Sequence, residues 1–201
     1  QEAGNAVSYG MTWDDALRIA GSLWWFWGST DRHRDGRRWL EDALRGPASE
    51  ADPAVRAWAL AVLGYIAGQQ LDLDVALPAG EEALALSIRH GDEVAVAVAR
   101  QVLGLTWEAA GDHDRSAALL TQARAVFDAA SLHHQVCNND VVTCVRGLVT
   151  GDLDLVDRAS REVLRRSALI DYDPHRCWAH LVRARLGEAP DALLARRGEP
   201  A

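Results

Sequence analysis

The chain has 201 residues, of which 49% are hydrophobic and 25% charged, with a formal net charge of −8 and a pI near 5.3. That is enough chain to bury a core without staples, and the composition excludes a disordered tail. No apolar run reaches the roughly 18–20 residues of a membrane span, and an acidic balance is poorly suited to neutralising nucleic-acid phosphates.

All 21 basic residues are arginine. The three cysteines, Cys137, Cys144 and Cys177, cannot close a disulfide set and point to a reducing, cytoplasmic setting. No basic segment with an apolar one behind it marks a secretion signal, and a start at Gln1 reads as a processed or excised piece of a longer protein.

Helix signals run the length of the chain, and strand alternation is nearly absent. In chain order, helix pairs are predicted over 10–45, 53–90, 92–130 and 133–170, with a partial fifth over 174–197 whose helix ends near 187. The first pair holds Trp24-Trp25-Phe26-Trp27. Successive helical residues lie 100° apart, so four aromatics cannot share one neighbour. Trp24 and Trp27 are assigned to the inside of the hairpin, which turns Trp25 and Phe26 elsewhere. Asp52-Pro53 opens the second pair and Asp173-Pro174 the last helix, because proline is welcome in a first turn. In the third pair Ala95, Val98, Ala99, Val102, Leu103 and Thr106 step at three and four residues along one face. Gly111-Asp-His-Asp114 then supplies a left-handed turn and a helix cap, and Ala117, Leu120, Ala123 and Phe127 continue the pattern.

This hairpin is expected to recur every 40 residues, the turn position falling at Asp31, Leu71, Gly111 and Gly151. Seven residues before it stand Trp24, Gly64, Gly104 and Cys144; four before it stand Trp27, Ala67, Trp107 and Gly147. Five after it come Gly36, Ala76, Ser116 and Val156, and twelve after it Ala43, Ala83, Ala123 and Val163. Mostly small residues at these columns let two helices approach closely. A fixed period in this range indicates a right-handed solenoid, each unit burying its face against its neighbours. The turns carry Asp72-Leu-Asp74, Asp112-His-Asp114 and Asp152-Leu-Asp154. A calcium loop needs further oxygens and a closing glutamate, which do not follow, so the pattern reads as capping. The first turn carries Arg32-His-Arg34 instead.

Leu63-Gly64 and Leu103-Gly104, with the small residues of each second helix, resemble tetratricopeptide repeats. The stretches Asp15 to Trp27 and Asp35 to Leu44 further resemble the start of the helical-repeat region in actinobacterial regulators of the LuxR and AfsR type, over roughly Trp13 to Leu169. In that family an ATP-binding signalling module precedes the repeats and a DNA-binding domain lies elsewhere. Neither a phosphate-binding glycine loop nor a helix-turn-helix is evident here. By analogy with tetratricopeptide superhelices, the first helix of each pair lines a concave face, which gives Arg18, Trp25, Tyr65, Gln69, Gln101, Glu108 and Asn138 as candidate groove residues. The lysine and asparagine clamp known in some tetratricopeptide proteins is not reproduced.

Solenoid ends must hide an unmatched apolar face. The first repeat is therefore expected to form an N-terminal interface, apolar at Trp25 and Phe26 and basic at Arg32, Arg34, Arg37 and Arg38. It would dock on the ATP-binding module, on the residues before Trp13, or on a second copy of the chain. His133, His134 and Cys137, with Asp173, His175 and Cys177, lack the spacing of a known zinc site. No nucleophile or metalloprotease motif occurs. The expectation is a protein-interaction and regulatory domain, neither an enzyme nor a direct DNA binder, with no metal and no cofactor. The alternative is a receptor that binds a peptide or small effector in its groove.

Overall fold

The computed structural model describes residues 11–30, 32–47, 51–170, 173–185 and 187. Among these the chain is all-α, with no strand, as in a helical-repeat fold. None of the described helices is long and apolar enough to cross a membrane. The chain divides into two compact units, Gln1–Val126 and Phe127–Ala201.

The first unit holds α1 (Trp13–Ser22), α2 (Trp24–Ser29), α3 (His33–Leu44), α4 (Pro53–Gln69), α5 (Leu73–His90), α6 (Glu93–Ala109) and most of α7 (His113–Ala129). The helix starts follow local chemistry. Thr12 and Asp15 form a reciprocal capping box, Asp15 N–H donating to Thr12 Oγ1 at 3.1 Å. Asp52 caps α4 ahead of Pro53, and Asp92 takes the N–H groups of Val94 and Ala95. Asp112 accepts the Arg115 N–H at 3.1 Å, and in the second unit Asp152 accepts that of Leu155 at 2.9 Å. Asp72 differs from the capping expected of it. It makes no cap to α5, and its carboxylate instead accepts a hydrogen bond from Arg37 at 2.7 Å. A charge-assisted bond to a guanidinium outweighs a cap to a neutral amide.

Helix ends are equally regular. Left-handed backbone falls at Leu71, Gly91, Gly111, Ser131 and Gly151, every twentieth residue between 71 and 151. At Leu71, Gly111 and Ser131 the following N–H reaches back five residues, to Ala67, Trp107 and Phe127 respectively, and closes a Schellman turn. Glycine adopts this conformation at little steric cost, whereas leucine and serine do not. Asp31, the first expected turn position, lies outside the described residues.

Close helix approach follows from the small residues. A Cβ on Gly64 of α4 would stand 3.3 Å from the Ala76 carbonyl and 3.4 Å from the Gly80 nitrogen of α5. One on Gly104 of α6 would meet Leu120 at 2.8 Å and the Ser116 carbonyl at 3.4 Å. Gly36, Ala76, Ser116 and Val156 are all buried, as are Ala43, Ala83, Ala123 and Val163. Trp27 lies over Gly36, where a Cβ would come within 2.5 Å of the indole, so the bulk of one helix occupies the gap left by the other.

The first helix is broken at Leu23, where a single helix was expected. The last four carbonyls of a helix lack intrahelical partners, and two tryptophans supply donors here. Trp27 Nε1 donates to Ala20 O at 3.1 Å, and Trp58 Nε1 to Gly21 O at 3.0 Å. Trp24 is partly buried against the core cluster and also reaches beyond its own hairpin. It turns edge-on to Trp58 of α4, ring centroids 6.5 Å apart.

The second unit holds the end of α7, α8 (His133–Thr150), α9 (Leu153–Ile170) and α10 (Asp173–Arg185). Gly147 of α8 sits where a Cβ would fall 2.9 Å from the Asp152 carbonyl and 2.7 Å from Val156. At the neighbouring crossings thiols take the place of small residues, Cys144 that of Gly64 and Gly104 and Cys137 that of Ala57 and Ala97. Cys144 Sγ lies 3.7 Å from Val156 O and Cys137 Sγ 3.9 Å from Val163 O. Helix α10 is tied down by Arg183, only 1% exposed, which donates to Asp157 Oδ1 at 2.8 Å and Ser160 Oγ at 3.1 Å.

Two substitutions test these backbone demands by urea unfolding. Leu71 is 71% exposed, so Leu71→Gly loses little packing while relieving its left-handed strain. It should raise stability by up to about 1 kcal/mol. Gly147→Ala meets backbone and should lower stability by about 1–3 kcal/mol.

Candidate functional site

Helix α3 buries Gly36, Leu40 and Ala43 and turns Arg34 and Arg38 outward, with Arg37 half-buried between the two faces. These three arginines, with Glu41 and Gln70, line an open depression of about 570 Å³. Arg37 is held on three sides. Its Nε pairs with Glu41 Oε1 at 2.6 Å, Nη1 donates to Gln70 Oε1 at 3.0 Å, and Nη2 pairs with Asp72 Oδ2 at 2.7 Å. Hydrogen bonds to Glu41 and then Asp72 push its pKa above the ordinary arginine range. Arg32 lies apart from the depression's lining and pairs with Asp35 at 3.4 Å. Phe26 is 42% exposed and leans edge-on against Trp27, centroids 5.2 Å apart. The side chain of Trp25 lies outside the described residues.

The candidate groove residues stand in different settings. Arg18 is exposed on α1 and engaged by Asp14 at 2.6 Å, with Asp52 at 3.8 Å. The Asp52 backbone N–H and then Arg18 hold the Asp14 carboxyl below its usual range. Tyr65 and Gln69 are adjacent on α4 and hydrogen-bonded to each other; burial pushes the phenol pKa up, and that bond opposes the shift. Gln101 is buried at 4% exposure and offers no groove surface, a correction to its assignment. Glu108 is largely covered and lies 2.8 Å from His113 Nδ1, while Arg115 stacks over Trp107 at 4.6 Å. Asn138 belongs to the second unit. It is half-buried, its Oδ1 lying 2.8 Å from His175 Nε2 of α10.

Of the histidines and cysteines noted in the sequence, the fold brings His134 and His175 together, ring centroids 4.9 Å apart. Among the described residues no cluster of three or more His, Cys, Asp or Glu side chains is placed to hold a metal ion. Burial, aided by His134, pushes His175 down to about 4, and burial also lowers His134. Burial, with Asp140 beside it, pushes the Cys144 thiol up to about 12. Cys137 is likewise buried, whereas Cys177 is exposed.

Sequence reasoning missed Glu41, Gln70 and Asp72 as partners of Arg37, and Arg183 as the anchor of α10. Only the Asp72 turn column gave a signal, and it read as a cap. No family model matches the chain, and neither a curated protein nor a solved structure matches it.

Two measurements check this chemistry. His175 is neutral in the fold and ordinarily titrates near 6.5, so the unfolded chain binds more protons between pH 6.5 and about 4. Stability present above pH 6.5 should therefore fall through that window, by roughly 2–3 kcal/mol. Urea midpoints for wild type and His175→Gln should converge as pH drops. A thiol-specific reagent should label Cys177 rapidly in the native protein, and Cys137 and Cys144 only after unfolding.

Proposed function

We propose that this chain is a protein-interaction and regulatory helical-repeat domain within a larger ATP-dependent transcription regulator of the LuxR and AfsR type. It works by docking other domains of the same chain or a protein partner, in the cytoplasm, without catalysis and without touching DNA itself. The reading of forty-residue hairpins that this entails is supported by the burial of Gly36, Ala76, Ser116 and Val156 and of Ala43, Ala83, Ala123 and Val163. Regular left-handed helix ends support it too.

The observation that carries the proposal is the surface of the first repeat. Ile19, Leu23 and Phe26 are 45%, 38% and 42% exposed, apolar side chains left in solvent on α1, at the break and on α2. The same repeat bears the arginines of α3. Apolar surface with a charged rim is the composition of a docking face. The receptor alternative draws on Tyr65 and Gln69, two neighbours already bonded to each other, and has less behind it. A net charge of −8 supports leaving DNA contact to another domain.

Calorimetric titration of the chain against the segment preceding it in its parent protein tests the proposal. Binding is expected, and Phe26→Ser should weaken it about tenfold while circular dichroism stays unchanged. Absence of binding, or tight salt-sensitive binding to duplex DNA in a gel shift, would overturn it.

A further inference from the structure

The depression on α3 has a donor set of its own. Arg34, Arg37 and Arg38 occupy one helix face at spacings of three and four residues, where like charges repel one another. Glu41 and Asp72 both pair with Arg37, and the three arginines together outnumber these two carboxylates, so the hollow keeps a net positive charge toward an incoming anion. A guanidinium carries five N–H groups. Arg37 directs three of them to Glu41, Gln70 and Asp72, which leaves two for another acceptor. Gln70 accepts through Oε1, so its amide N–H groups stay donors. Arg34 forms no ion pair with any described residue. Asp72 gives up the cap of α5 to keep Arg37 in place.

We propose that this hollow binds a phosphoryl group. Arg37, its partner Glu41 and Gln70 are the less exposed members and form its floor, and Arg34 and Arg38 stand at the rim. A carboxylate offers two oxygens in one plane. A phosphoryl group offers three, carries nearly two charges, and matches guanidinium forks arriving from different directions. The hollow is open and wet, so binding is reversible and salt-sensitive. The phosphoryl group arrives either as the free ion or on a phosphorylated side chain, and its recognition chemistry is the same. This inference does not depend on the interaction-domain reading, because a free ion needs no partner.

The test is an amide NMR titration of the whole chain with inorganic phosphate at constant ionic strength, with acetate as the comparison. Saturable shifts confined to α3 and the 70–72 turn are expected, with a dissociation constant on the order of 1 mM. Arg34→Gln and Arg38→Gln should each weaken binding about tenfold, while Arg161→Gln in the second unit leaves it unchanged. A phosphoserine peptide that binds at least about tenfold tighter than free phosphate, with its serine form silent, assigns the source to a phosphorylated partner. Equal affinities assign it to the free ion, and either result supports the site. Should a variant misfold, the wild-type affinity must still fall steeply as salt is raised. Shifts that scatter without saturating, acetate equal to phosphate, or full affinity in both well-folded variants would overturn the proposal.

Discussion

Close approach of paired helices is the constraint on which the rest of this structure depends. A methyl group would press tightly on opposing backbone at Gly64, collide with the Leu120 side chain at Gly104, and collide with the Asp152 carbonyl at Gly147. Such contact brings backbones into van der Waals register and fixes the sites where larger side chains can stand. Trp27 fills the space that Gly36 leaves, and Val156 the space that Gly147 leaves. Where cysteine replaces glycine or alanine, the soft thiol fits and points at a carbonyl of the opposing helix. Turn geometry serves the same end. Left-handed residues at regular intervals reverse the chain in a set number of residues and hold each helix pair in register, even where leucine or serine must adopt the conformation.

Polar chemistry on this scaffold is decided by what the close-packed faces leave over. Helix α3 has one face committed to the core, so its arginines share what remains, and the Arg37 network forms where that remainder meets the 70–72 turn. Net charge and local charge therefore point in opposite directions. A chain of −8 carries a cationic hollow because Arg34, Arg37 and Arg38 together outnumber Glu41 and Asp72, both of which pair with Arg37. In the second unit a comparable economy operates with the signs mixed. Glu162 is held down to about 2, chiefly by its hydrogen bond to Arg165 and then by Arg166, and Arg166 also pairs with Asp128 at the end of α7. Arg183 is taken wholly inside to secure α10.

Local periodicity and punctuation were legible from residues alone. The helix class, the caps at Asp52, Asp112 and Asp152, the proline-led start of α4 and the small residues at hairpin crossings all depend on neighbours within about one helical turn, or on a simple size rule. The exposed Phe26 and the arginines of the first repeat could likewise be picked out. Side-chain partners across helices could not. Gln101 looks like a surface glutamine in the sequence, yet it sits in a buried column beside Val102 and Leu103. Asn138 reads as a groove residue until α10 places His175 against it.

What the sequence by itself determined was where helices form, where they stop, and which faces are small enough to pack, because these follow from short-range sterics and hydrogen bonding. Only the tertiary structure decided that α1 breaks at Leu23, that Trp24 meets Trp58 edge-on, and that Asp72 serves Arg37 instead of its own helix. Each of those outcomes is a competition between a local partner and a distant one. The distant partner wins where burial and charge make its contact stronger, and the sequence alone does not show which residues will be brought within reach.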